Sequence, residues 1–206
     1  MSYFITLEGP EGGGKSTQAR RLFDHLHTQG HDVLFTREPG GTEIGDQIRQ
    51  VIMSLENKNM SSEAEFLLFS ASRAQVVREL IQPHLERGGV VVCDRFYDSS
   101  LAYQGYGHEL DLDLLRIITG FVTGELVPDL TLLLDLTSEL GLERRKRDGR
   151  WNRLDDYDLA FHERVREGYL SLADIDQDRW VRIDAALNED EIQAEIREAV
   201  AARLGA

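Results

Sequence analysis

"GPEGGGKST", residues 9–17, comes straight after the apolar-leaning run "YFITLE", very early in the chain. Gly9, four further residues and then Gly14-Lys15-Ser16 fit the phosphate-binding pattern G-x-x-x-x-G-K-[ST]. Glycines let the backbone N–H groups of such a loop turn inward around a phosphate chain. Lys15 is then placed to reach the β- and γ-phosphates, and the Ser16 hydroxyl to coordinate Mg²⁺. A helix starting near Lys15 adds the positive end of its dipole beneath the anion. A plain glycine turn is the bland alternative, and the strand before and helix after argue against it. The loop is expected to bind a nucleotide. What happens to the phosphate has to be read elsewhere.

The 206 residues are 41% hydrophobic and 29% charged, enough for one well-buried domain, and no linker-like shift in composition divides them. Lys and Arg number 23 against 37 Asp and Glu, a net charge of −14. Such a field repels nucleic acid and anionic membrane surfaces, so neither is expected as a partner. It repels nucleotides too, so an anion site must be built from locally concentrated basic groups. The single cysteine, Cys93, suits a reducing cytosol. With no signal-peptide pattern and no apolar run near 18 residues, a cytoplasmic protein is expected.

Apolar runs alternate with helical periodicity throughout. "YFITLE", "DVLFT", "VVVC", "DLTLLLDL" and "WVRID" read as five strands. Helices are expected over 15–29, which Gly30 can terminate, over 43–54, over 62–87 with a bend near Pro83, at about 97–104 and 111–123, entering the basic stretch 144–153, at about 157–174, and at the C-terminus. Strands linked by helical crossovers predict an α/β fold: a five-stranded parallel sheet flanked by helices on both faces. Ligands then collect at the carboxyl ends of strands.

Informative residues do follow strands. "CDRF", residues 93–96, ends the third strand. Asp94 there can hold Mg²⁺ directly or through water, and Arg95 suits a second phosphate; the plainer alternative is a local Asp–Arg pair. "TREPGGT", residues 36–42, ends the second strand with Arg37 and Glu38, and alone reads as a tight surface turn. "LLFSASRAQ", residues 67–75, sets Phe69 and Arg73 four apart on one helix face. They could stack on and hydrogen-bond a flat base, though a core Phe beside a surface Arg is the simpler physical reading. "ERRKRDGRWNR", residues 143–153, holds six basic residues against one acid between Arg144 and Arg153. A solvated charge run, a nucleic-acid patch and a mobile lid over polyphosphate are the options; the overall charge weakens the second, and Gly149 and Asn152 favour the third.

Together, "FITLEGPEGGGKSTQ", "TREPGGT", "LLFSASRAQ", "VVVCDRFYDSSLAYQGYG", "PDLTLLLDL" and "NRLDDYDLAFHERVREGYL" resemble the thymidylate kinase family, within the P-loop nucleoside-monophosphate kinases. The stretches occur in family order and cover nearly the whole chain. The resemblance implies one P-loop kinase domain over residues 1–206 with a mobile lid at about 144–155. It implies transfer of a phosphoryl group from ATP to dTMP with Mg²⁺, giving dTDP for dTTP synthesis. ATP would sit on Gly9, Glu11, Gly12, Gly13, Gly14, Lys15, Ser16 and Thr17, with Arg144 packing on the adenine. The dTMP ring would stack on Phe69, its edge bonded by Arg73, with Ser99, Ser100 and Gln104 close by. Arg95 would hold the acceptor phosphate, helped by Arg37 and Arg49, with Glu38 near. Glu11 matches a position that approaches the 3′-hydroxyl, and Tyr103 one whose ring excludes a ribose 2′-hydroxyl. Ser16 and Asp94 would serve Mg²⁺. Some members carry an Arg where Gly13 stands, so here the lid is expected to supply the catalytic arginine, with Arg150 and Arg153 ranked above Arg147. A homodimer is implied by analogy. A kinase of another small acceptor and a non-enzymatic P-loop switch are the rival readings.

Overall fold

The computed structural model describes residues 2–149 and 151–204. β1 (Tyr3–Glu8) runs through the loop into α1 (Lys15–Thr28); β2 (Val33–Arg37) leads to α2 (Glu43–Met53). α3 (Ser62–Val76) continues through a π-helical turn, Val77–Ile81, into α4 (Gln82–Glu86). β3 (Val90–Asp94) is followed by α5 (Tyr97–Ser100), a π-helical stretch Leu101–Gly107, and α6 (Leu112–Thr123). β4 (Leu130–Asp135) precedes α7 (Ser138–Arg147), a short 3₁₀ turn Leu154–Asp156, and α8 (Leu159–Ile175). β5 (Trp180–Asp184) and α9 (Glu189–Leu204) complete the described chain.

The sheet order is β2-β3-β1-β4-β5, and every pairing is parallel, with Ile5 opposite both Val92 and Leu130. β1, β3 and β4 are buried almost throughout because helices cover both faces. Successive residues face opposite layers. Ile5, Val92 and Leu132 pack with Leu22 and Leu26 of α1 and Ile192 and Ile196 of α9, whereas Phe4, Val91 and Cys93 pack with Val76, Val77 and Ile81. A third cluster, from Leu133 through Phe161, Tyr169 and Trp180, fastens α8 to the same sheet. Side-chain caps start the helices at Thr42, Ser61, Asp111 and Asp158, each accepting a backbone N–H from the first turn. Gly124, in the left-handed region at φ 65°, ends α6.

The five strands and the doubly covered parallel sheet agree with the sequence reading. The bend expected at Pro83 takes the form of a π-helical turn just before it, where Gln82 N–H donates to the Val77 carbonyl. Widening the preceding turn accommodates a proline that has no N–H to donate and crowds the carbonyl four residues back. The helix expected at 97–104 extends to Gly107, again as π-helix.

Candidate active site

At the carboxyl end of the sheet lies a cleft of about 930 Å³ that reaches from the phosphate-loop residues to Phe69, Tyr103 and Gln104. The loop depends on glycine at specific points. A Cβ on Gly9 would lie 2.3 Å from the Leu134 carbonyl oxygen, and one on Gly12 would lie 2.2 Å from that of Gly141 in α7. The loop is therefore wedged between β4 and α7. Lys15 is buried and its Nζ donates to the Pro10 carbonyl at 2.6 Å. Burial, with Arg95 adding to it, lowers its ammonium to about 8. The Ser16 hydroxyl donates to Asp94 Oδ2, which joins the loop to the tip of β3.

Arg95 is the hub. Its backbone is left-handed at φ 72°, a conformation that costs an ordinary residue roughly 1–2 kcal/mol. The Phe96 N–H that follows donates to Glu8 Oε1 at 2.7 Å, and Arg95 N–H donates to the Leu7 carbonyl at 3.0 Å. Those two bonds tie this turn to the end of β1, so the side chain swings back over the loop. Its Nη1 donates to the Gly9 carbonyl at 3.0 Å, Ser99 Oγ at 3.1 Å and Tyr169 OH at 2.9 Å. Its Nη2 donates to Glu11 Oε1 at 2.8 Å, which also accepts from Tyr103 OH at 2.9 Å. Burial alone would raise Glu11, yet Arg95 foremost, then Lys15 and Arg145, bring it down to about 2. It is a carboxylate held ready as an acceptor. Glu8, pushed up to about 7 by burial and by Asp98, also accepts from Ser99 Oγ at 2.6 Å. Neither Glu8 nor Tyr169 is singled out by the sequence.

Across the cleft, Arg37 Nη1 and Arg49 Nη1 both donate to the Pro39 carbonyl, at 3.1 and 3.0 Å, so the two guanidiniums stand together. Burial, then Arg37, lowers Arg49 from its ordinary value. Glu38 is buried and accepts from Arg73 Nε at 2.8 Å; burial raises it to about 7 despite that partner. Arg73, 1% exposed, also donates from Nη2 to Ser100 Oγ at 3.0 Å and the Phe96 carbonyl at 3.3 Å, while its Nη1 is buried without a hydrogen-bond partner. Arg73 is thus no surface arginine beside a core Phe. Phe69 lines the cleft, backed by Ile52 and Leu154, and Gln104 lines it beside Ser99, Ser100 and Tyr103.

The basic segment divides. Arg144 donates to the Ala185 carbonyl at 2.7 Å and lines the far end with Leu187, Asn188 and Ile192. Arg145, not singled out in the sequence, grips both carboxylate oxygens of Asp155 at 3.1 Å and also lines the cleft. Arg147 pairs with Glu143 near the rim. Arg150 lies outside the described residues. Arg153, expected among the catalytic arginines, has a side chain only 3% exposed and is not among the residues that line the cleft. It donates to the Ile52 carbonyl and Tyr157 OH, each at 2.8 Å, and pairs with buried Glu65 at 2.6 Å. A fully buried carboxylate needs its cation, which makes Arg153 a structural anchor rather than a mobile catalytic arm.

A phosphate loop facing a base-sized pocket, with convergent arginines between them, defines a P-loop phosphotransferase of the nucleoside-monophosphate kinase kind. A family model described as thymidylate kinase matches residues 7–196. The chain belongs to the thymidylate kinase family. It is 51% identical over 197 residues to a thymidylate kinase of Roseiflexus sp. strain RS-1, covering 90% of this chain and 87% of that one. It is 54% identical over 200 residues to the thymidylate kinase of Deinococcus radiodurans, covering 97% of each. The crystal structure of thymidylate kinase from Ehrlichia chaffeensis superposes with a TM-score of 0.79 at 30% identity, covering 97% of this chain and 98% of that one.

Proposed function

We propose that this protein transfers the γ-phosphoryl group of ATP to dTMP, forming dTDP, as a single kinase domain in the cytoplasm. The observation that carries the reading is the cleft itself. One continuous space joins the Lys15–Ser16 loop to Phe69 and Gln104, with Arg95, Arg37 and Arg49 between. The nucleophile is already a phosphate oxygen, so no strong base is required. Alignment and neutralisation of charge on the transferred group supply the rate.

ATP lies along the loop, its phosphates on the backbone N–H groups and on Lys15, its adenine against Arg144. The dTMP ring stacks on Phe69, and its phosphate takes Arg95, Arg37 and Arg49 as donors. Glu11, charged and already accepting from Tyr103, takes the 3′-hydroxyl, and the Tyr103 ring fills the place of a 2′-hydroxyl. The Ser16–Asp94 pair fits a Mg²⁺ that draws its other ligands from phosphate and water. Bound there, the ion would neutralise charge on the β- and γ-phosphates. The lid over 144–155 brings a guanidinium to the phosphates, from Arg150 or from the cleft-lining Arg147 or Arg145. No helix among the described residues is long and apolar enough to cross a membrane.

The protein also acts as a homodimer. Leu114, Ile117 and Phe121 form one exposed apolar row on α6, at 53, 71 and 82% exposure, and Leu67 on the neighbouring α3 is 55% exposed. Consumption of ATP across a panel of mononucleotides tests the activity. It should need an acceptor, and dTMP should support it best. Acceptor-independent hydrolysis would favour a P-loop switch, and faster transfer to dGMP or another monophosphate would favour a different kinase.

A further inference from the structure

Glu65 sits in α3, fully buried, behind the wall of the acceptor pocket. Its Oε1 accepts from Gln104 Nε2 at 2.7 Å and faces His108 Nε2 at 3.2 Å. Its Oε2 accepts from Tyr157 OH at 2.9 Å and pairs with Arg153 at 2.6 Å. Four groups from two separate parts of the chain, residues 104–108 and 153–157, converge on one carboxylate. Gln104 lines the cleft, and its Oε1 is buried without a hydrogen-bond partner.

We infer that Glu65 is a specificity-determining positioning residue, which locks the Gln104 amide so that only its carbonyl faces the base. A glutamine amide can present either a donor or an acceptor to a ligand. An ionised carboxylate can only accept, so the Gln104 NH₂ must turn toward Glu65 and the carbonyl oxygen must turn away. Burial would favour the protonated form of Glu65, but the hydrogen bond from His108 and the charge of Arg153 hold it ionised, near 2. Arg73 Nη1 is likewise buried without a hydrogen-bond partner, but Arg73 is not among the residues that line the cleft, so the selection rests on Gln104. Gln104 thus offers the base an acceptor and no donor. The ring N–H of thymine satisfies that acceptor, whereas the bare ring nitrogen of cytosine leaves it unpaired. A site with buried polar groups rejects a mismatched partner strongly, because its own groups are left unpaired.

This rests on the acceptor reading above, and the experiment separates the two. The preference is measured as the ratio of kcat/KM for dTMP over dCMP, two pyrimidines of equal ring size. Glu65→Gln replaces the carboxylate with a group that can donate or accept, which frees the Gln104 amide to turn over. The ratio should fall at least ~10-fold, mainly through a higher KM for dTMP, with the KM for ATP unchanged. In a Gln104→Ala background, which lowers the ratio itself, Glu65→Gln should change it no further. A merely structural Glu65 would lower stability and affect both substrates while leaving the ratio intact, and that result overturns the inference. A ratio unmoved by Gln104→Ala would remove the base from this pocket, so the acceptor reading would fall with the inference. If Glu65→Gln does not fold, ¹⁵N NMR of the wild-type protein decides. The Gln104 NH₂ protons should keep their contacts to Tyr157 or His108 when dTMP binds. Contacts from those protons to the bound base would overturn the inference.

Discussion

Lys15 places a charge where the empty fold does not favour one. Burial and Arg95 lower its ammonium to about 8 from an ordinary 10.5. Between those values the unfolded chain holds a proton that the folded chain has released, so stability rises with pH through that window; below pH 8 the full penalty applies. Lys15→Met should therefore melt above the wild type at pH 7 in the absence of nucleotide, while phosphoryl transfer falls about 10²–10³-fold. ATP should raise the melting temperature of the wild type more than that of the variant, because the phosphates give the ammonium its partner. A variant that melts lower without ATP would mean that Lys15 supports the fold. The position of this residue is legible in the sequence, because its spacing to Gly9 and Gly14 defines the motif. Glu65 left no such mark. In "SSEAEFLL" it looks like a solvated acid in the first turn of a helix, and only the packing of Gln104, Tyr157 and Arg153 around it shows otherwise.

At the level of elements, periodicity and caps gave nearly all the architecture. Runs such as "VVVC" have no wet face, and that pattern alone puts them in a central parallel position. The π-helical stretches at Val77–Ile81 and Leu101–Gly107 were not legible, since they answer to tertiary packing and carry no periodic signature. The basic segment shows the same limit. Its composition told of charge, yet the choice between catalytic arm and buried anchor for Arg153 depended on Glu65, far away in the chain. Arg153→Ala leaves that carboxylate buried without its cation, so the variant should lose about 3–5 kcal/mol of stability. Denaturant melts measure this directly. A stable Arg153→Ala protein with a specific defect in the transfer step would return the residue to catalysis.

For the whole molecule, a net charge of −14 means that two negatively charged substrates must approach against the mean field. The arginines facing the cleft reverse its sign locally, and Arg95, Glu11 and Glu8 bind β1, β3 and α8 into one support for them. The proposed homodimer would cover the apolar row on α6 with a second copy, burying Ile117 and Phe121. Phe121→Glu should convert a dimer to a monomer in sedimentation equilibrium, and a monomeric wild type at micromolar concentration would remove the dimer from the account.

In the proposed reaction ATP and dTMP occupy opposite ends of one cleft, in line for direct transfer. Adenosine and thymidine joined 5′ to 5′ through five phosphates span both ends at once. Inhibition by this compound should be competitive against ATP and competitive against dTMP, because it fills both subsites. Competition with ATP alone would contradict this, placing the acceptor outside the pocket lined by Phe69, Tyr103 and Gln104.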